Sequence, residues 1–245
     1  MTTSSQITIE TIDGPMPTYT ASPTGSARGG ILVVQEAFGV TAHIEGVADR
    51  LAHDGWHAIA PAFFHRQGSP VIAYDDFDSV MPVMGKLSAE GLAVDVAAAF
   101  DYLEGAGFAP ARTGVVGFCM GGSVTFFAAT SRPVGAAVTF YGGGVREGRF
   151  GLPSLIDLAP TLQTPWLGLY GDLDKGIPTE DVEQLRLAVE AAPVPTEIVR
   201  YADADHGFNC NDRPSVFNSS AAADAWQRTL GWFDSHIPAQ DPEQN

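Results

Sequence analysis

The stretch Gly117-Phe118-Cys119-Met120-Gly121-Gly122 constrains this 245-residue chain more than any other. It follows the apolar run from Thr113 to Val116 and leads into Ser123-Val124-Thr125-Phe126-Phe127-Ala128-Ala129, which can continue as a helix. A strand that turns this sharply into a helix forces its apex residue into a strained backbone conformation. Glycines two before and two after the apex, Gly117 and Gly121, let segments approach where a Cβ would clash. The apex is Cys119, placed at a helix N-terminus. There the dipole and free backbone N–H groups favour an anion, and so the thiolate. A buried structural cysteine in a Gly-rich turn accounts for the hexapeptide alone equally well.

The rest of the chain alternates strand and helix signals. Gln6 to Ile12 alternates in polarity and reads as a strand, with Pro15 to Ser22 as its hairpin partner or an extended arm. Gly30 to Gln35 is a continuous apolar run closed by Gln35, as expected of a strand buried on both faces of a parallel sheet. Thr41 to Ala52 carries Ile44, Val47, Ala48 and Leu51 on one helical face, and Gly55 stops it. Trp56 to Ala60, Val134 to Tyr141, Pro165 to Tyr170 and Glu197 to Tyr201 read as further strands. Ser88 to Leu103, Thr179 to Glu190 and Ala221 to Phe233 read as helices. Such alternation predicts an α/β fold, a mostly parallel central sheet with helices on both faces. With no internal repeat or long linker, one domain over residues 1–238 and a flexible tail over 239–245 are expected.

Composition excludes some partners. The 13 Lys and Arg against 29 Asp and Glu give a net charge of −16, the wrong sign for phosphates of nucleic acid or an anionic membrane. Two cysteines cannot build a disulfide framework, which favours a reducing compartment. No signal peptide is seen at the N-terminus, and no apolar run approaches a membrane span. A cytoplasmic enzyme or binding protein acting on a small molecule is expected; oligomeric state is not legible.

In a sheet of this kind, reactive side chains collect beyond the carboxyl ends of strands. Glu36 follows the Gly30–Gln35 run, Asp172 and Asp174 follow Pro165–Tyr170, and His206 follows Glu197–Tyr201. The order Cys119, acid, histidine is that of the α/β-hydrolase fold, and the hexapeptide is its G-x-S-x-G elbow with cysteine for serine. His206 is the expected general base. Either Asp174 or Asp172 could orient it; Asp174, deeper in its loop, is preferred. Asp203 and Asp205 are too close in sequence to His206 and read as loop caps. Glu36 is costly to bury ionised without a partner, so a site role is favoured over an exposed loop carboxylate. No metal site is expected: Gly55 and Trp56 break any helix joining His53 and His57, and Asp75, Asp76 and Asp78 lack the glycine and glutamate of a calcium loop.

Several of these segments resemble the dienelactone hydrolase (carboxymethylenebutenolidase) family: Val34 to Gly39, Ala52 to Pro61 with Phe63-Phe64-His65-Arg66, Gly117 to Gly122, Gly171 to Asp174, and His206-Gly207-Phe208. The resemblance spans nearly the whole chain. It implies an α/β-hydrolase fold, no cofactor or metal, and hydrolysis of a lactone or ester. The implied triad is Cys119, His206 and Asp174, with Glu36 holding the resting thiol and taking its proton when substrate binds. The backbone N–H of Met120, by the elbow rule, and of Ala37, by the resemblance, would form an oxyanion hole. A thioesterase or other acyl-transfer enzyme would use the same triad, and a receptor that had lost turnover would share the sheet.

One departure concerns substrate charge. Family members acting on a carboxylated diene-lactone hold its carboxylate with two arginines. One of those positions is Cys210 here, and Lys86 is the only basic residue between Gln67 and Ala111. Arg66 is too isolated to assign. Candidate pocket residues are apolar or aromatic, namely Phe38, Phe63, Tyr74, Phe77, Met81, Tyr141 and Phe208. A neutral ester or lactone is therefore the expected preference.

Overall fold

The computed structural model describes residues 1–239, so residues 240–245 of the expected tail lie outside them. Thr2–Thr11 (β1) and Gly14–Pro23 (β2) form an antiparallel hairpin, with Gly14 at φ 112°. β1 begins ahead of the expected Gln6 because residues 2–6 are exposed in an edge strand, so they carry no apolar alternation to read. Parallel strands follow at Gly30–Val34 (β3), His57–Pro61 (β4), Thr113–Phe118 (β5), Ala136–Phe140 (β6), Trp166–Gly171 (β7) and Thr196–Tyr201 (β8). They make one eight-stranded sheet in the order β1-β2-β4-β3-β5-β6-β7-β8, with β2 antiparallel to β4.

The central strands are apolar because both faces are covered. Ile31, Leu32, Val33 and Val34 of β3 are fully buried, as are Val115, Val116 and Phe118 of β5. Each such side chain contributes about 1.5–3 kcal/mol relative to exposure. The connections run β3 to β4 through Ala42–His53 (α1), then back across β3 to β5 through Ala89–Gly105 (α3). Right-handed crossovers in opposite directions put α1 and α3 on opposite faces. Met120–Ser131 (α4) shares the α3 face, where Arg132 pairs with Asp101 and Glu104. Ser219–His236 (α7) lies beside α1: Arg50 stacks 4.0 Å over Trp226, whose Nε1 donates to Asp54 at 3.3 Å. Thr179–Val189 (α6) joins β7 to β8.

Two helices lie where none was expected. Phe77–Met84 (α2) overlaps the acidic segment of Asp75, Asp76 and Asp78, capped by Asp76 accepting from Ser79 N at 3.2 Å. Its internal Pro82 and single fully buried residue, Val80, leave no clear helical stripe in the sequence. The other, Leu155–Leu158 (α5), is only four residues long. Among the described residues no helix is long and apolar enough to cross a membrane.

The strand order reverses at β3. The chain leaves it toward β4 on one side and returns to β5 on the other, which opens a crevice at the carboxyl ends of β3 and β5.

Candidate active site

β3 and β5 pair in register to Val34 opposite Gly117, so the residues that follow, Glu36 and Cys119, emerge side by side at that crevice. Cys119 stands at φ 57°, ψ −117°, immediately before α4. That conformation costs a non-glycine residue about 1–3 kcal/mol and persists only because its surroundings enforce it. The enforcement is visible at the glycines. A Cβ on Gly117 would sit 2.1 Å from Gly121 O, and one on Gly121 would sit 2.4 Å from both Val34 O and Gln35 O. The elbow is thus pressed directly against the end of β3. Cys119 N donates to Phe140 O at 3.1 Å, which ties the apex to β6 as well. The Cys119 side chain is half-buried and reachable.

His206 and Asp174 come from the loops after β8 and β7. Their contact is direct, with Nδ1 of His206 2.6 Å from Asp174 Oδ2. Asp174 is buried, and its Oδ1 accepts from Gly176 N at 2.8 Å. Asp172 points elsewhere: Arg200 Nε and Nη2 donate to its two oxygens at 2.7 and 2.8 Å. Asp205 accepts from the backbone N–H of His206 at 2.6 Å, and Asp203 O accepts from Asn218 Nδ2 at 2.8 Å. Burial alone would lower the His206 pKa, but the Cys119 thiolate and the Asp174 carboxylate outweigh it and push it up to about 10. The environment therefore favours the protonated imidazole at His206.

Glu36 is fully buried. Its carboxylate accepts from Tyr74 Oη at 3.3 Å and from Tyr141 Oη at 3.5 Å. Its hydrogen bonds thus go to two tyrosines, and none runs to Cys119 among the described residues, where the resemblance implies a contact with the resting thiol. Burial first and the Glu36 charge second raise the pKa of both phenols, which keeps them as donors. Tyr141 has φ 41° and is fully buried, with its ring 5.0 Å from the His206 ring. It therefore stands between the carboxylate and the imidazole. Close by are His43, whose pKa burial lowers, and Cys210, whose thiol burial and Glu36 push up to about 11. The backbone N–H groups of Ala37 and Met120 donate to no other backbone carbonyl among the described residues.

The apolar wall of the crevice is a small cluster separate from the main core. Ala37, Phe38, Phe64, Ile72, Val80 and Met120 are buried in it, and Tyr74, Met84, Leu87, Phe150 and Cys119 pack against it. Of the expected pocket residues, Phe38 and Tyr74 lie in this wall with ring centroids 4.7 Å apart. Phe77 is largely exposed, with its ring 5.8 Å from Phe38, and Met81 is more exposed still. Phe63 and Phe208 point into the main core instead. Val80 and Met84 escape the sequence reading because α2 escapes it, and Ile72 and Leu87 lie in the irregular segments that flank it.

Two arginines also bear on the site. Arg66 is committed to Asp95 and Asp13, at 2.8 and 2.6 Å, so its charge is already paired. Arg213 lies 5.6 Å from the Phe38 ring centroid and 5.7 Å from that of Tyr74. It supplies a positive charge from outside residues 67–111 and position 210.

A half-buried cysteine on a strained strand-to-helix turn, in a sheet with this order and these crossovers, fits the architecture of an α/β-hydrolase. The chain belongs to the dienelactone hydrolase family, whose profile matches residues 16–237. A Salmonella typhimurium protein (strain LT2) named "Putative carboxymethylenebutenolidase" is 40% identical over 228 residues, 89% of this chain and 82% of the relative. One of the same name from Escherichia coli O157:H7 is 38% identical over 232 residues, 91% of this chain and 79% of the relative. The crystal structure of a "Putative Dienelactone Hydrolase" from Klebsiella pneumoniae superposes with TM-score 0.87 at 36% identity, covering 95% of this chain and 98% of that one. Acylaminoacyl peptidase superposes at TM-score 0.73 with 14% identity, which is a likeness of fold alone. The chain is a hydrolase of the dienelactone hydrolase type.

Proposed function

We propose that this hydrolase cleaves a lactone or carboxylic ester through a thioester on Cys119. The observation that carries the reading is the 2.6 Å contact between His206 and Asp174 beside a cysteine held on a strained elbow. Free cysteine has a pKa of about 8.5 and is mostly thiol at neutral pH, so the thiolate needs neighbours that favour it. His206 takes the thiol proton, and Asp174 fixes the ring so that Nε2 faces the sulfur. When substrate enters, Glu36 is the first acceptor of that proton and passes it on to His206, with Tyr74 and Tyr141 donating to its carboxylate.

The thiolate sulfur attacks the carbonyl carbon. The oxygen becomes an anion, received by the N–H groups of Ala37 and Met120. The tetrahedral adduct collapses as the bond to the alkoxide breaks and His206 donates its proton to that oxygen. Water then gives a proton to His206 and its hydroxyl to the thioester carbon, releasing the acid and restoring the thiolate. The reaction needs no cofactor in this reading. It belongs to one domain acting on a small molecule in the cytoplasm, with neither nucleic acid nor membrane as partner.

The direct test is alcohol release from a simple activated ester. A burst followed by steady turnover, lost in Cys119→Ala with the fold intact, is expected. Binding without release would favour a receptor, and turnover by Cys119→Ala would remove cysteine from the reaction.

A further inference from the structure

We infer that Glu36, His43 and Cys210 form a binding site for a single zinc-class divalent cation behind the catalytic cysteine. Glu36 follows β3, His43 lies in the first turn of α1, and Cys210 lies in the loop that carries His206. One ligand atom from each lies within 4.8 Å of the others, and all three residues are buried. Oxygen, imidazole nitrogen and thiolate sulfur together suit zinc, which binds each at about 2.0–2.3 Å. Tetrahedral bonds of that length separate donors by about 3.3–3.8 Å, so the three groups need close by about 1.5 Å at most.

Two further observations point to a ligand. The Nε2 atom of His43 is buried with no hydrogen-bond partner, although the residue is only 6% exposed. Its Nδ1 meets Asn211 Oδ1 at 3.4 Å. If Nδ1 donates there, Nε2 carries the lone pair, the arrangement that outer partners impose on metal-binding histidines. Glu36, in turn, is 0% exposed and meets only two neutral phenols, at 3.3 and 3.5 Å. A buried carboxylate so weakly supported calls for a cation: none of the ion pairs among the described residues includes Glu36, and the nearby His43 imidazole belongs to the same cluster. A cavity of about 670 Å³ between α1 and α7, lined by His43, Asn209 and Asn211, offers a route in.

On binding, the metal–sulfur bond forms as the Cys210 thiol proton leaves to solvent, with no change of oxidation state. The metal then holds Glu36 to the loop that carries His206. Reversible inhibition of turnover would follow, and that consequence alone rests on the function proposed above.

The test uses Cys119→Ala protein, which removes the competing thiolate, titrated with Co²⁺ as the optical probe for zinc. One equivalent is expected to bind per chain, with a thiolate-to-cobalt charge-transfer band and the visible bands of tetrahedral cobalt. Adding Cys210→Ser should abolish the charge-transfer band, and adding His43→Ala should weaken affinity at least tenfold. Should either double variant fail to fold, Zn²⁺ must still raise the melting temperature of the Cys119→Ala protein, with one zinc retained after dialysis. Absence of the charge-transfer band in Cys119→Ala, or the same band and affinity in both double variants, overturns the proposal. So does Cys119→Ala protein that retains no zinc.

Discussion

Asp174 holds His206 through one oxygen at 2.6 Å while its other oxygen is fixed by the backbone N–H of Gly176 at 2.8 Å. A carboxylate anchored at both ends cannot turn away, so the imidazole it supports keeps one orientation. Asp172, two residues earlier, is instead clasped by Arg200. Asp174→Asn should therefore lower kcat steeply, by as much as about 10⁴-fold as in other triads. Asp172→Asn should leave turnover nearly unchanged and cost about 1 kcal/mol or less of stability, the usual worth of an exposed ion pair. Steady-state kinetics of the two variants decide the matter, and reversed effects would assign the acid to Asp172.

The charge state of His206 gives a second prediction. Burial opposes the imidazolium, while the Cys119 thiolate is the largest influence in its favour, followed by Asp174. The folded value of about 10 lies above the ordinary 6.5, so the stabilisation it brings is full below about 6.5 and is lost as pH rises through about 10. In Cys119→Ala the opposing burial remains and the thiolate is gone. The His206 ring signals in an NMR titration should then move at a clearly lower pH than in wild type. An unchanged titration would mean that the sulfur does not set the proton's position.

Much of this site is legible in the sequence because it depends on strand ends. Cys119 and Asp174 each follow a short apolar run, His206 follows the strand-like Glu197–Tyr201, and the glycines around Cys119 mark the sharp turn. What is hidden depends on packing across the chain. Asp172 and Asp174 differ only in their partners, Arg200 and His206, which no local pattern reveals. Phe63 looks like a pocket residue by composition but points into the main core from beyond β4. α2 is obscured by Pro82 and its neighbouring aspartates, and with it the crevice wall. The cluster of Glu36, His43 and Cys210 joins three distant segments, so no spacing rule announces it.

Glu36 is expected to matter for proton removal from Cys119 despite its bonds to Tyr74 and Tyr141. Glu36→Gln should slow iodoacetamide labelling of Cys119 after a substrate analogue binds, with the modified site mapped because Cys210 is also a thiol. Equal labelling rates would leave Glu36 a structural role only.

Substrate charge turns on Arg213. Cys210 and the scarcity of basic residues between 67 and 111 point to a neutral substrate, whereas Arg213 reaches the crevice wall at Phe38 and Tyr74. An arginine can hold a carboxylate by charge-assisted hydrogen bonds. Arg213→Gln should therefore reduce kcat/KM for a carboxylated lactone about tenfold, or about 1.4 kcal/mol, and leave its methyl ester little changed. If both substrates fall alike, Arg213 only supports the wall, and the neutral preference stands.

The central claim is that Cys119 carries the acyl group. Protein mixed with an activated ester and quenched in acid within the burst should gain the mass of one acyl group, located on the peptide containing Cys119 and released by hydroxylamine. Cys119→Ala should show neither the adduct nor turnover. Steady turnover with no adduct on Cys119 at any quench time, together with an active Cys119→Ala, would contradict the account.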